Sequence, residues 1–181
     1  MVFREFFRLL FLLNSASTII AGINARTWRE PPGGRRPIAA TITTYLNFKD
    51  TAKEAMDFYA AVFGGELRTT TFADYRVSDD PAEQDKIMHA VLTTPSGQVI
   101  MAADTPNSME YTPPAGHSLS ISGDDEQELR GYWRALVSDG TEIVPLSAAP
   151  WGDSFGMCRD RFGIDWMVNI AGPADGDAVG V

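Results

Sequence analysis

The sequence predicts an α+β protein of two βαβββ modules that form a curved mixed sheet around a cleft. Three observations carry this. A β-branched, aromatic run is followed by one segment of helical periodicity and three strand-like runs. The same order of elements then recurs. Finally, Glu54, Phe58-Tyr59 and Ala61 align with Glu128, Tyr132-Trp133 and Ala135 at an offset of 74 residues, and Gly65 aligns with Gly140 at 75.

Residues 41–48, Thr-Ile-Thr-Thr-Tyr-Leu-Asn-Phe, read as a strand. Asp50-Thr51 open a helix in which Thr51 and Glu54 have capping-box spacing. Ala55, Phe58, Tyr59, Val62 and Phe63 fall on one helical face, and Gly64-Gly65 stop the helix. Strands are predicted over 67–76, 86–94 and 98–103, with Pro95-Ser96-Gly97 as the turn between the last two. Residues 118–122 begin the second module. Asp124-Asp125 open its helix, Glu126 and Glu128 favour the positive helix end, and Gly140 ends it. Strands over 141–146, 154–159 and 164–170 complete the set. Because strand side chains alternate, each strand lends every second residue to a cleft between the halves, the default place for a ligand.

Charge divides the chain unevenly. The 181 residues carry a net charge of −9. Residues 1–36 hold six Arg against two Glu, so this piece is +4 and the remainder −13. An acidic body without a Lys/Arg cluster argues against nucleic-acid binding. Arg4 and Arg8 around the run Leu9-Leu10-Phe11-Leu12-Leu13 give residues 1–36 three readings: an extension outside the fold, a targeting or anchoring segment, or a packed helix. Residues 37–171 form a single domain, with module one at about 40–105 and module two at about 116–170; residues 172–181 are a flexible tail. The location expected is cytoplasmic, or secreted or membrane-associated if residues 1–25 act as a signal. Membrane contact is expected only if the extension is a true anchor. A lone Cys158 rules out an intrachain disulfide framework and a multi-cysteine zinc site.

Several motifs resemble the vicinal oxygen chelate superfamily of glyoxalase, bleomycin-resistance and dioxygenase proteins, and its PhnB-like branch in particular. They are Tyr45-Leu46-Asn47-Phe48, Ala55-Met56-Asp57-Phe58-Tyr59, Met88-His89-Ala90 and Ile100-Met101-Ala102-Ala103-Asp104. The most specific stretch runs from Trp151-Gly152-Asp153 through Asp160-Arg161-Phe162-Gly163 to Trp166-Met167-Val168-Asn169. The resemblance covers about residues 40–171. It implies a homodimer and, in metal-dependent members, ligands on the first, fourth, fifth and eighth strands. The matching positions here are Thr43, Met101, His117 and Met167, of which only His117 is a usual ligand for a divalent ion. The resemblance therefore implies the fold without a standard metal site. Members of the branch are sometimes called ubiquinone-pathway methyltransferases, but neither helix opens on a glycine-rich nucleotide cradle.

The residues then point to a protein that binds a small aromatic or cationic molecule in the inter-module cleft, with no cofactor. The alternative is a divalent-metal-dependent lyase, isomerase or dioxygenase. Ligand-binding candidates are Tyr45, Phe48, Met101, His117, Trp151, Phe155 and Met167, with Trp166 as a further aromatic. His117, His89 and Asp104 are the candidates for acid–base work. Each has a structural alternative: core packing for the aromatics and Met, backbone hydrogen bonding for the histidines. Asp160-Arg161-Phe162-Gly163 reads as a β-turn with an internal charge pair. Asp79, Asp80, Glu83 and Asp85 read as a solvated loop or a lid, and Cys158 as buried and inert.

Overall fold

The computed structural model describes residues 40–173, so the calls on the basic extension and on most of the tail lie outside the described residues. Module one consists of β1 (Thr44–Phe48), α1 (Ala52–Phe63), β2 (Glu66–Thr71), the single-turn α2 (Phe72–Tyr75), a 3-10 turn (Pro81–Glu83), β3 (Ile87–Thr93) and β4 (Val99–Asp104). Module two consists of β5 (Leu119–Gly123), α3 (Glu126–Val137), β6 (Thr141–Ala148), β7 (Ser154–Arg159) and β8 (Asp165–Ile170). Each module is a four-stranded mixed sheet, ordered β1-β4-β3-β2 and β5-β8-β7-β6. The outer pairs β1/β4 and β5/β8 are parallel, and the remaining pairs are antiparallel. Even the closing bond repeats: Thr105 N–H donates to the Phe48 carbonyl and Ala171 N–H to that of Gly123, both at 2.8 Å. The predicted α+β class of two βαβββ modules is the class found. Among the described residues no helix is long and apolar enough to cross a membrane.

The glycines that align in the repeat do so for a steric reason. A Cβ on Gly65 would run into the Thr93 backbone at the end of β3, and one on Gly140 into the Arg159 backbone at the end of β7. Each module needs a bare backbone where the chain leaves the helix and passes the sheet.

Four local expectations are corrected. The strand predicted over 67–76 ends at Thr71, because Thr71 and Asp74 form a capping box that turns the chain into α2. Asp74 N–H donates to Thr71 Oγ1 at 3.3 Å, and Thr71 N–H donates to the Asp74 carboxylate at 2.7 Å. Conversely, Thr51 makes no side-chain cap to α1. The Ala52 N–H donates instead to Asp104 at 2.9 Å, and the other Asp104 oxygen accepts from Ile87 N–H at 2.8 Å. The acidic loop is not wholly solvated: Glu83 is buried, accepting from Ser78 Oγ at 2.6 Å and Asn107 N–H at 2.6 Å. Beside it the buried Lys86 ammonium meets Asp50 at 2.7 Å, Asn107 Oδ1 at 2.7 Å and Glu83 at 3.5 Å. Burial works against charge in both groups, yet the Asn107 amide, Ser78 and Lys86 hold the Glu83 carboxyl low, and Asp50 and Glu83 hold Lys86 high. Lastly, Arg161 does not pair with Asp160. It bonds Asp139 at 3.1 Å and lies over the Phe58 and Phe162 rings at 4.7 and 4.9 Å.

The modules meet through their helix-bearing faces. One core cluster unites Leu46, Phe48, Ala90 and Ile100 from the first sheet with Cys158, Trp166, Val168 and Ile170 from the second, around α1 and α3. Tyr59 and Phe63 of α1 reach across to Trp166 (5.6 and 5.4 Å between centroids), and Phe63 reaches Tyr132 of α3 at 5.1 Å. Beneath these rings lies the Asp160 carboxylate, only 4% exposed. It accepts from Tyr59 Oη at 2.7 Å, Trp166 Nε1 at 2.8 Å, and the Phe162 and Ile164 amides at 2.9 and 3.0 Å. Such burial is tolerated because four donors replace the lost water. Tyr59→Phe is expected to lower unfolding stability in chemical denaturation by about 1.5–3 kcal/mol, the cost of one hydrogen bond to a charged group. Asp160→Ala is expected to cost at least about 3 kcal/mol, since four buried donors lose their acceptor.

Candidate functional site

Strand alternation turns the side chains opposite the core onto two outer sheet faces. On the first sheet, Tyr45 is level with Met101, and Met101 with Val91. One row along lie Asn47, Ala103 and, continuing the same register, His89 and Thr70. Tyr45 and His89 sit diagonally across β4, over the small Ala103. Their rings stack at 5.8 Å with 16° between planes, and the Tyr45 hydroxyl lies 3.2 Å from His89 Nδ1. His89 is 6% exposed, and its Nε2 has no hydrogen-bond partner. Burial holds the imidazole pKa below 6.5, so the ring is neutral at pH 7, and burial likewise keeps the Tyr45 hydroxyl protonated.

On the second sheet the corresponding row is Ser120, Met167, Met157 and Val144, and the next is Ser122, Asn169, Phe155 and Ser147. The β6–β7 hairpin carries Trp151, which is 62% exposed and packs edge-on against Phe155 at 5.7 Å. Asp153 fixes that hairpin to the end of β8 by accepting from Asn169 Nδ2 at 2.7 Å and Gly172 N–H at 3.0 Å; these bonds hold its carboxyl below the usual range.

Not every predicted site residue lies on these faces. Tyr45 and Met101 share the first, and Phe155 and Met167 the second, with Trp151 on the hairpin at its edge. Phe48 is 1% exposed within the shared core and is corrected to a packing residue, as is the buried Trp166. Asp104 is corrected from an acid–base candidate to a helix cap, with one oxygen on each of two backbone amides. His117 lies on the exposed approach to β5, with Nδ1 3.1 Å from the Ala115 carbonyl. It sits by Asp165, whose carboxyl is held low first by the two bonds from Arg159 (2.6 and 2.9 Å) and to a lesser degree by His117. His117 and Asp104 therefore belong to different modules and form no dyad. Cys158 is buried, and burial pushes its thiol up to about 12, the signature of an inert thiol. The pairing of Tyr45 with His89 was hidden because it spans two strands and depends on the size of Ala103. A shallow groove of about 350 Å³ is lined by Arg76, Ser78, Asp79, Pro81 and Gln84, none of them a predicted site residue.

The metal-site positions do not fit a hard divalent ion. Thr43 and Met101 stand in one module, His117 and Met167 in the other, offering one imidazole, one hydroxyl and two thioethers. Among the described residues no three His, Cys, Asp or Glu side chains are grouped to hold an ion. Neither long helix offers free N-terminal amides to a phosphate, because the Asp104 carboxylate occupies the amide end of α1 and Asp125 caps α3 by accepting from Glu128 N–H at 2.9 Å.

The buried histidine has a consequence for acid stability. Its folded pKa lies below the unfolded value of 6.5, so the unfolded chain binds the proton more readily. The His89 contribution is complete above pH 6.5 and is lost as pH falls from there through the folded value. His89→Gln, which keeps a partner for Tyr45 without titrating, is expected to flatten the denaturation midpoint across that window. It should leave the steeper loss below about pH 4, where Glu83 and Asp165 take up protons, in place.

Residues 40–169 match the family model described as 3-demethylubiquinone-9 3-methyltransferase. The solved structure of protein PA1353 from Pseudomonas aeruginosa is 36% identical, covering 74% of this chain and 99% of that one, with a TM-score of 0.64. A putative 3-demethylubiquinone-9 3-methyltransferase, PhnB protein, from Bacillus cereus is 28% identical over 73% of this chain and 100% of its own, with a TM-score of 0.59. A glyoxylase/bleomycin resistance protein/dioxygenase domain from Frankia sp. EAN1pec shares the fold (TM-score 0.52, 16% identity, 74% and 98% of the two chains). With its paired βαβββ modules and a match spanning nearly every described residue, the chain belongs to the PhnB-like 3-demethylubiquinone-9 3-methyltransferase family and shares its fold with the glyoxylase/bleomycin resistance protein/dioxygenase domain.

Proposed function

We propose that this protein binds a small aromatic or cationic molecule, and that it does so as a homodimer. The observation that carries the reading is the pair of outer sheet faces, rich in thioether and aromatic side chains and turned away from the core that joins the modules. The two faces belong to different modules, each opposite the shared core. A second copy that sets the first-sheet face of one chain against the second-sheet face of the other closes a cavity lined by both modules, and twofold symmetry makes two of them. Tyr45, Met101, Met157, Met167 and Phe155 line it, and Trp151 stands at its rim. Methionine walls adapt to flat guests, and an exposed indole receives a cation on its face. The −13 body draws cations toward it. The donor set at Thr43, Met101, His117 and Met167 counts against the metal-dependent alternative.

Sedimentation is expected to give a dimer. Proflavine and berberine are expected to raise the melting temperature, and Trp151→Ala to weaken them about tenfold, or ~1.4 kcal/mol, within the range of an aromatic–cation contact. Because Trp151 is 62% exposed, the unliganded melting temperature should stay within about 2 °C. No stabilisation by any cationic aromatic would defeat the binding reading. Incubation with Zn, Ni, Mn or Fe is expected to leave substoichiometric metal. Stoichiometric metal abolished by His117→Ala would establish the metal-dependent alternative.

A further inference from the structure

The acid sensitivity of His89 does not account for its second ring nitrogen. Among the described residues, Nε2 is the one buried side-chain polar atom without a partner. Leaving such a group unpaired costs about 1–3 kcal/mol, so its persistence on a sheet face points to a partner that the described residues do not supply.

The identity of that partner follows from proton counting. The Tyr45 hydroxyl has one proton and the neutral imidazole one. If Tyr45 donates to Nδ1, 3.2 Å away, the ring proton sits on Nε2 and only Nε2–H is orphaned. If Nδ1 donates to Tyr45 instead, the phenolic proton and the Nε2 lone pair are both orphaned. The first arrangement leaves fewer groups unsatisfied, so Nε2 is a hydrogen-bond donor seeking an oxygen acceptor. An acidic body disfavours a carboxylate or phosphate in that role. The parallel Tyr45 and His89 rings offer a flat wall beside the donor.

We propose that Tyr45 and His89 form a carbonyl-recognition site on the outer face of the first sheet, in which His89 Nε2–H donates to the uncharged oxygen of an aromatic amide or ketone. Tyr45 is a positioning residue: it holds the imidazole in the Nε2–H tautomer. Met101 is half-buried and level with Tyr45 on the same face, and its three rotatable bonds let it re-pack around a guest. The site rests on the small-molecule reading above and names the polar group that its ligand carries.

Long-range ¹H–¹⁵N spectra of the full-length ¹⁵N-labelled protein read the tautomer directly, with His117→Ala separating the two histidines. His89 is expected to show a pyridine-like Nδ1 and a pyrrole-like Nε2, and Tyr45→Phe to abolish that preference while the fold survives. Titration with benzamide is expected to shift the His89 Nε2 signal without moving His117, and His89→Phe to weaken benzamide about three- to tenfold, as loss of one hydrogen bond requires. Benzylamine, which lacks the oxygen, should leave Nε2 unchanged. A pyrrole-like Nδ1, or a Nε2 signal indifferent to benzamide, overturns the proposal. If benzylamine or proflavine binds regardless of His89 while benzamide does not, the cation-binding reading stands and this one falls. If no aromatic probe binds, both fall.

Discussion

The buried Asp160 carboxylate is the constraint on which the rest of the molecule depends. It lies in the β7–β8 turn of the second module, yet its strongest single donor is a tyrosine of the first, 101 residues earlier. That bond and the Trp166 indole converge on one oxygen, while two turn amides hold the other. An isolated carboxylate at 4% exposure would be intolerable. The turn, β8 and α1 must therefore assemble together or the charge stays unpaired. Once they do, Phe162 is carried between Phe48, Phe58 and Tyr59, and the helix-bearing faces of both sheets close on one core. Commitment of the helix sides to each other is what leaves the opposite sheet faces available.

The repeat governs backbone more than chemistry. Both modules place a parallel strand pair at one edge, end it with the same 2.8 Å bond and use glycine where the chain clears the sheet. The side chains that solve equivalent problems differ. Helix α3 takes a local cap from Asp125, whereas α1 takes its cap from Asp104, 52 residues away, which simultaneously ties the start of β3. Lys86 and Glu83 add a buried ion pair near that joint in module one, and the second sheet has the Arg159–Asp165 pair on its outer side. Duplicated topology has thus been fitted with separate polar anchors.

Fold and the order of elements along the chain were legible in the sequence because both rest on short-range signals: β-branched runs, helical apolar spacing and turn glycines. Several misreadings share one cause, which is a side chain acting over a long sequence distance, whereas the strand expected to Arg76 was cut short by the local Thr71–Asp74 capping box. Thr51 and Glu54 have capping-box spacing, but a remote carboxylate supplies the cap. Asp160 and Arg161 are neighbours that bond in opposite directions, one inward to Tyr59 and one to Asp139. Phe48 has the composition of a ligand wall and the strand parity of a core residue. Of the site, the sequence supplied the residue types Tyr45, Met101, Phe155 and Met167. It did not show that the two modules pack through their helices, because apolar side chains on either face of a strand look alike in one dimension.

That packing decides how the faces can function. An outer face with a half-buried methionine and a stacked Tyr–His pair is too apolar to be ordinary solvent-facing sheet. Each face is moreover only half of the chemistry: the neutral imidazole donor is on the first sheet, and the exposed indole and its Phe155 neighbour are on the second. A flat molecule with an oxygen acceptor at one end and positive charge at the other satisfies both halves only when the two faces are brought together. In the proposed dimer the acidic surface would set the sign of the guest, the indole would receive its cationic end and His89 its oxygen. Ligand binding and assembly would then be linked, because a guest that touches both faces stabilises the pair of chains that supply them.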